Sequence, residues 1–202
     1  MLPGKDRIYA CPSCGQKVWV RTLMTGNTAG AVLHSDGAIV MPFLPVFPSE
    51  VKCKKCGLIF KFCKDLFVKE LNLRDPWESD WESADLLTPE DYQEKIQLNQ
   101  CEEIRNRIYL WHTANGTYGN HEKSTDTALY VENCKRLIDL FSDNEHQRVF
   151  IAELHRNIGE FDTCMEILAT LEDNERFPKR LYIEQCEAKN RETFVVKREE
   201  WV

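Results

Sequence analysis

The amino-acid sequence predicts an α+β protein, with a small antiparallel β module at the N-terminus and an all-α part after it. Two short C-x2-C-G turns, at residues 11–15 and 53–57, are each flanked by residues that favour strands. From Thr88 onwards the apolar residues take on a helical spacing. The two turns and this change of period together indicate a β module followed by helices.

The two turns carry the four cysteines expected to bind a metal: Cys11, Cys14, Cys53 and Cys56. A two-residue gap lets both sulfurs of one turn face the same point, and the following glycine allows a positive φ. A Zn²⁺ ion bound by four thiolates is tetrahedral, and such closed sites are structural. We therefore predict one Zn²⁺ as cofactor, although the spacing also permits iron.

The remainder of the β module is predicted from short apolar runs and turn signals. Strand-like residues lead into and out of the first turn over 8–24, and residues 58–62 form a closing strand after the second. A hairpin is predicted for Ala31–His34 and Ala38–Met41 around Ser35-Asp36-Gly37. Three prolines within residues 42–48 favour an extended segment outside any central strand.

Over about residues 8–63 the chain resembles the zinc-ribbon class, including the CPxCG knuckle that rubredoxins share. Thirty-eight residues separate Cys14 from Cys53, against about fifteen to twenty in the common pattern. We attribute the extra length to an inserted hairpin and proline-rich arm at 25–48. Either this insertion is a functional loop, or it wraps apolar surface.

The sequence divides into a zinc-ribbon domain at 1–71, an acidic linker at 72–88 and a helical domain of about five helices at 89–202. Thr88-Pro89 begins the first helix, since threonine is a good N-cap and proline suits the first helical position. Its apolar face comprises Tyr92, Ile96, Ile104, Ile108 and Trp111. Later helices are predicted at 125–141, 144–158, 162–171 and 177–189. In the linker, Trp77 and Trp81 either pin the chain to one domain or form a hook for a partner.

The third and fourth predicted helices resemble a tetratricopeptide unit. Ile151-Ala152 stands at the family's Leu-Gly pair, and Gly159, Phe161, Cys164 and Leu168 follow its later rhythm. Arg148 and His155 depart from the aromatic residues that the family prefers. The resemblance implies a helical hairpin of the kind used in protein interaction. The whole arrangement is similar to uncharacterised bacterial zinc-ribbon proteins, which implies no activity.

Composition and charge narrow the function classes. No apolar run approaches the ~20 residues of a membrane span, and no secretory signal is visible. Five further cysteines are scattered, as free thiols are in a reducing compartment. We therefore expect a cytoplasmic protein without a membrane partner. Residues 1–74 hold eleven Lys/Arg against five Asp/Glu, whereas residues 75–202 hold fifteen against twenty-eight. Such opposite charges can dock the two parts together or steer partners.

Candidate catalytic residues are few. His112 and His121, with Glu122 and Asp126 nearby, are the best candidates for a second site, although such neighbours also arise by chance. Cys63 could replace a metal ligand, act as a redox thiol, or simply pack behind the closing strand. No nucleophile or phosphate-binding motif is present in the sequence. We expect a protein that is not an enzyme.

Two functions remain open. The first is a non-catalytic zinc-binding adaptor that binds a protein partner. The alternative is a zinc ribbon that binds nucleic acid. Trp19 could stack on a base. The lysines near the second knuckle could contact phosphates; they are Lys52, Lys54, Lys55, Lys61 and Lys64.

Overall fold

The computed structural model describes residues 1–72, 80–98, 102–119, 121–173 and 178–198. Small antiparallel sheets occupy the N-terminal part, and six helices follow among the described residues. This arrangement confirms the predicted α+β class. The described helices include none that is both long and apolar enough to cross a lipid bilayer.

The strands are short and, within the described residues, form four small sheets. They are β1 (Leu2–Pro3), β2 (Asp6–Ala10), β3 (Lys17–Val20), β4 (Leu23–Thr25), β5 (Val32–His34), β6 (Ile39–Val40), β7 (Glu50–Lys52), β8 (Ile59–Lys61), β9 (Phe67–Leu71), β10 (Glu82–Ser83) and β11 (Val195–Arg198). In the largest sheet β2 lies between β3 and β9, antiparallel to both, and β10 adds to β3 in parallel. Strand β1 pairs with β4, and β7 pairs with β8.

The linker is held against the largest sheet. Trp81 is buried and packs with Ile8 and Leu71, and the Nζ of Lys69 lies 4.7 Å from the centre of its ring. The preceding residues, including Trp77, lie outside the described part of the chain. Trp81 therefore anchors the linker to the β module, which is the first of the two roles considered for it.

The helices are α1 (Pro89–Leu98), α2 (Glu103–Ala114), α3 (Ala128–Phe141), α4 (Arg148–Asn157), α5 (Phe161–Ala169) and α6 (Lys179–Glu187). Each packs on its neighbour in sequence along the series α1–α2–α3–α4–α5–α6. Glu103 at the start of α2 accepts hydrogen bonds from Arg107 and from Arg136 of α3. These bonds, that from Arg136 first, lower the pKa of Glu103.

The first predicted helix is in fact two helices. The single apolar face predicted from Tyr92 to Trp111 is wrong, because Ile104 is 44% exposed. Instead α2 folds back on α1, so that Tyr92 and Ile96 pack with Leu110 in one buried cluster. Folding back buries α1 against α2, which a continuous helix could not do.

The inserted hairpin forms as predicted, and its tip enters the helical part. Strands β5 and β6 are antiparallel around residues 35–37. Gly37 has φ +81°, and a Cβ at this position would lie 2.6 Å from the ring of Phe150 in α4. Both the backbone conformation and this close approach therefore require glycine. The insertion joins the two parts of the molecule.

The C-terminal segment corrects the prediction of an all-α second part. Residues Val195–Arg198 form β11, which pairs antiparallel with β5 and gives the sheet order β11-β5-β6. The backbone of Ser35 continues this pairing, because its N–H donates to Phe194 O at 2.9 Å. Strand β11 completes the edge of β5 that a two-stranded hairpin would leave open.

Candidate metal centre

The two cysteine turns are built in the same way. Each is closed by two backbone hydrogen bonds at equivalent positions: Gly15 N to Cys11 O (2.9 Å) and Cys11 N to Gln16 O (2.8 Å) in the first, Gly57 N to Cys53 O (2.8 Å) and Cys53 N to Leu58 O (2.9 Å) in the second. The glycines have φ of +71° and +78°, the left-handed conformation predicted for them. The local sequence C-x2-C-G is thus sufficient to shape both turns.

The two turns bring their four thiols together. The Sγ atoms of Cys11 and Cys56 are 3.6 Å apart, as are those of Cys14 and Cys53. All four sulfurs lie within 4.8 Å of one another, so the group could hold a metal ion. Four sulfurs at about 2.3 Å from a tetrahedral Zn²⁺ ion would be about 3.8 Å apart, which this arrangement fits.

Apolar residues of both turns' strands support the thiols from beneath. Cys11 and Cys53 are 2% and 1% exposed and pack in one cluster with Val18, Val51 and Phe60. By contrast, Cys56 is exposed at the rim of the group. The strands that flank each turn therefore hold the buried ligand of that turn in place.

Backbone amides around the second turn act on the thiol pKa values. The N–H of Leu58 lowers the pKa of Cys56 to about 7. Burial raises the pKa of Cys53 to about 12, although the amides of Cys56 and Lys55 oppose the rise. Because metal ligands must be thiolates, binding at this site has to release protons. Where all four thiolates bind one tetrahedral ion, every coordination position is filled by protein sulfur.

Cys63 stands apart from the four-cysteine group. It is exposed and precedes a short 3₁₀ turn at Lys64–Leu66. Within the described ranges, the four cysteines of the two turns are the single set of three or more His, Cys, Asp or Glu side chains close enough to share an ion. Cys101 lies outside the described residues.

Most of the lysines proposed to contact nucleic acid face carboxylates. Lys52 lies 2.9 Å from Asp91 and 2.8 Å from Glu94, both in α1. These two acids, Glu94 first, raise the pKa of Lys52. A reciprocal pair joins Glu50 of β7 to Lys95 of α1, where both side chains are about one-tenth exposed. The second cysteine turn is thereby docked on α1 through alternating charges.

Two more of these lysines contact acids of the linker and of the residue just before α2. Lys54 lies 2.6 Å from Asp85, and Lys61 lies 2.9 Å from Glu102. Lys55 and Lys64 are exposed. The basic and acidic parts of the chain therefore neutralise each other at this junction, in keeping with the docking role considered for their opposite charges.

Trp19 and His121 line a cleft next to the linker. Its volume is about 520 Å³, and Arg21 and Phe47 also line it. The guanidinium of Arg21 lies 5.4 Å from the centre of the Trp19 ring. His112 is elsewhere engaged, since its Nε2 is 3.0 Å from the backbone oxygen of Asp36. Glu122 and Asp126 are exposed.

A buried polar network, which sequence reasoning missed, lies where the hairpin tip meets the helices. Ser35 Oγ donates to Glu153 Oε1 at 2.6 Å and accepts from Phe194 N. Arg156 Nε donates to Glu153 Oε2 at 2.9 Å, and both side chains are fully buried. Burial raises the pKa of Glu153, although the guanidinium of Arg156 opposes the rise.

Asp36 forms a second centre of this network. Its carboxylate is fully buried and accepts from Ala38 N at 3.0 Å, from Asn115 Nδ2 at 2.9 Å and from Thr117 Oγ1 at 2.6 Å. Tyr130 in turn donates to Asn115 Oδ1 at 2.7 Å. Two features of the sequence could have indicated this network: charged residues on the otherwise apolar face of α4, and a polar hairpin tip.

No protein family, curated protein or solved structure matches this chain.

Proposed function

We propose that this protein is a non-catalytic adaptor, stabilised by a structural Zn²⁺ ion, that binds a protein partner. One observation carries the proposal: four thiols from two distant turns converge on one point, with all four sulfurs within 4.8 Å. A closed four-thiolate site contributes folding free energy and offers no vacant position to a substrate. So small a β module gains from such a metal what its own core cannot supply.

Zinc is our proposal for the ion, and a zinc ribbon with an inserted hairpin is our proposal for the β module. The support is the matched pair of C-x2-C-G turns and the spacing of their sulfurs. Iron bound to four thiolates would colour the protein red, as in rubredoxins. A colourless protein that contains one zinc per chain is the expected result.

The proposed partner-binding part is the tetratricopeptide-like hairpin of α4 and α5. Gly159 has φ +87° at the turn between these helices, as such a hairpin requires. Ala152, Cys164 and Leu168 are fully buried between the helices, where the repeat places small or apolar residues. We propose a cytoplasmic location, because buried unpaired cysteines in helices suit a reducing compartment.

Nucleic-acid binding is the weaker alternative. Lys52, Lys54 and Lys61 already have carboxylate partners, so phosphates would have to displace those partners. We expect no binding to single- or double-stranded DNA or RNA at low salt. Binding that weakens steeply as salt rises, and is lost when Lys55 is changed to Glu, would instead favour this alternative.

The experiment that tests the adaptor combines metal analysis with capture of partners by photo-cross-linking in the native cell. We expect one zinc per chain, and one protein partner captured reproducibly through residues of α4 or α5. The variant Cys14→Ser should lose zinc and the cross-links, whereas the matched variant Cys63→Ser should keep both. Turnover of a substrate, or capture of nucleic acid in place of protein, would contradict the proposal.

A further inference from the structure

Two cysteines of the helical part lie side by side. Cys164 in α5 and Cys186 in α6 have their Sγ atoms 3.0 Å apart, and their side chains are 0% and 3% exposed. By comparison, the Sγ atoms of Cys11 and Cys56 are 3.6 Å apart, as are those of Cys14 and Cys53. A disulfide bond is about 2.05 Å long. The two sulfurs would therefore have to move about 1 Å closer for a bond to join the helices.

The surroundings of this pair favour reaction at one of the two sulfurs. Both belong to a cluster with Ala152, Leu168 and Tyr182, so they are shielded from bulk water. The hydrogen bond between the two sulfurs lowers the pKa of Cys186 and raises that of Cys164. Burial opposes this fall in the pKa of Cys186, and the guanidinium of Arg156 adds to it. The Cys186 thiol is therefore the first of the two to ionise.

We propose that Cys164 and Cys186 form a reversible dithiol–disulfide site that a small peroxide oxidises. The Cys186 thiolate attacks one peroxide oxygen, the O–O bond breaks, and hydroxide leaves and is protonated to water. The resulting sulfenic acid is attacked by the sulfur of Cys164, so that the S–S bond forms and the S–O bond breaks. The Cys164 proton leaves in a second water. Two thiols thus lose two electrons and two protons, and one hydrogen peroxide becomes two waters.

The bond would fix the C-terminal segment to the helices. The two cysteines are 22 positions apart, and they connect a nine-residue helix to the hairpin of α4 and α5. Helix α6 carries Tyr182, whose hydroxyl donates to the backbone oxygen of Ser35 at the hairpin tip. Access of a small oxidant to the pair requires local opening of this short helix. Closing a loop of this length should raise the Tm by about 7–14 °C.

Peptide mapping tests the site directly. The full chain, with its metal as purified, is treated with hydrogen peroxide, alkylated under denaturing conditions and digested with trypsin. Cys164 falls in the tryptic peptide 157–176 and Cys186 in 181–189, each with a single cysteine. We expect the two peptides linked by one disulfide, released by dithiothreitol, and a Tm rise after oxidation.

A buried cysteine elsewhere supplies the matched control. Cys134 is fully buried in α3, and the variant Cys134→Ala should keep both the cross-link and the Tm rise. The variant Cys186→Ala should lose both. Recovery of 157–176 and 181–189 solely as separate alkylated peptides from oxidised wild-type protein would overturn the proposal, and so would their linkage solely to peptides of the four-cysteine group.

Discussion

Replacing Asp36 by alanine should destabilise the helical part, although Asp36 lies in the insertion of the β module. The substitution removes the carboxylate that accepts hydrogen bonds from Ala38 N, Asn115 Nδ2 and Thr117 Oγ1. No water can replace it readily, because the side chain is fully buried. Two of its donors belong to the chain at the end of α2, so the loss is felt across the junction.

The size of the effect follows from these three bonds. Each hydrogen bond to a charged group contributes about 1.5–3 kcal/mol, but such values do not simply add. Thr117 Oγ1 also reaches the backbone oxygen of His112 at 3.1 Å, so its hydroxyl keeps an acceptor. Removal of the buried charge also relieves its desolvation cost. We therefore expect a loss of about 3–4 kcal/mol, or a fall in Tm of about 6–16 °C.

Thermal unfolding followed by circular dichroism at 222 nm measures this loss in the helices themselves. Asp65→Ala is the matched control, because Asp65 is exposed in the 3₁₀ turn before β9. The control should unfold within about 2 °C of the wild type, as surface substitutions commonly do. If Asp36→Ala unfolded together with this control, the hairpin tip would not be joined to the helices as described.

Three further predictions concern the metal, the buried ion pair and pH. Cys53→Ser should weaken zinc binding by more than about 100-fold, since changes outside the ligand set already cost 10–100-fold; competition with a chelator measures this, and Cys63→Ser should match the wild type. Arg156→Met should lower the free energy of unfolding by about 3–5 kcal/mol in urea titrations, because it leaves the Glu153 carboxylate buried and unpaired; an unchanged midpoint would contradict the buried pair. The lowered pKa of Glu103 contributes stability above the ordinary glutamate pKa of about 4.3, and this stability is lost as the pH falls through the lower folded-state value. Glu103→Gln should therefore be less stable than the wild type at pH 7 and lose less stability on acidification to pH 3. Urea titrations at the two pH values measure both losses, and equal losses in the two proteins would refute this role of Glu103.

Local patterns predicted the parts of the molecule that local interactions determine. The C-x2-C-G turns close through backbone hydrogen bonds within six residues, so their shape follows from a few neighbouring positions. Thr88 likewise caps α1 as predicted, because its Oγ1 accepts from Asp91 N at 3.3 Å, three residues away. The hairpin around residues 35–37 is predictable for the same reason.

Contacts between distant residues were beyond such reasoning. Ser35 and Glu153 are 118 positions apart, and Asp36 and Thr117 are 81 apart. A polar tip is locally typical of an exposed turn. This one is buried, because Glu153 of α4 accepts from Ser35 and residues just after α2 donate to Asp36. The fold-back of α2 on α1 and the pairing of β11 with β5 are tertiary choices of the same kind. Neither has a signature in periodicity.

The metal centre is tested most directly by zinc K-edge X-ray absorption on the protein as purified. Four sulfur scatterers at about 2.3 Å, with one zinc per chain, are the expected result. A shell of three sulfurs with one nitrogen or oxygen would mean that a thiol is not a ligand or that a coordination position is open to solvent. Either finding would contradict a closed structural site formed by Cys11, Cys14, Cys53 and Cys56.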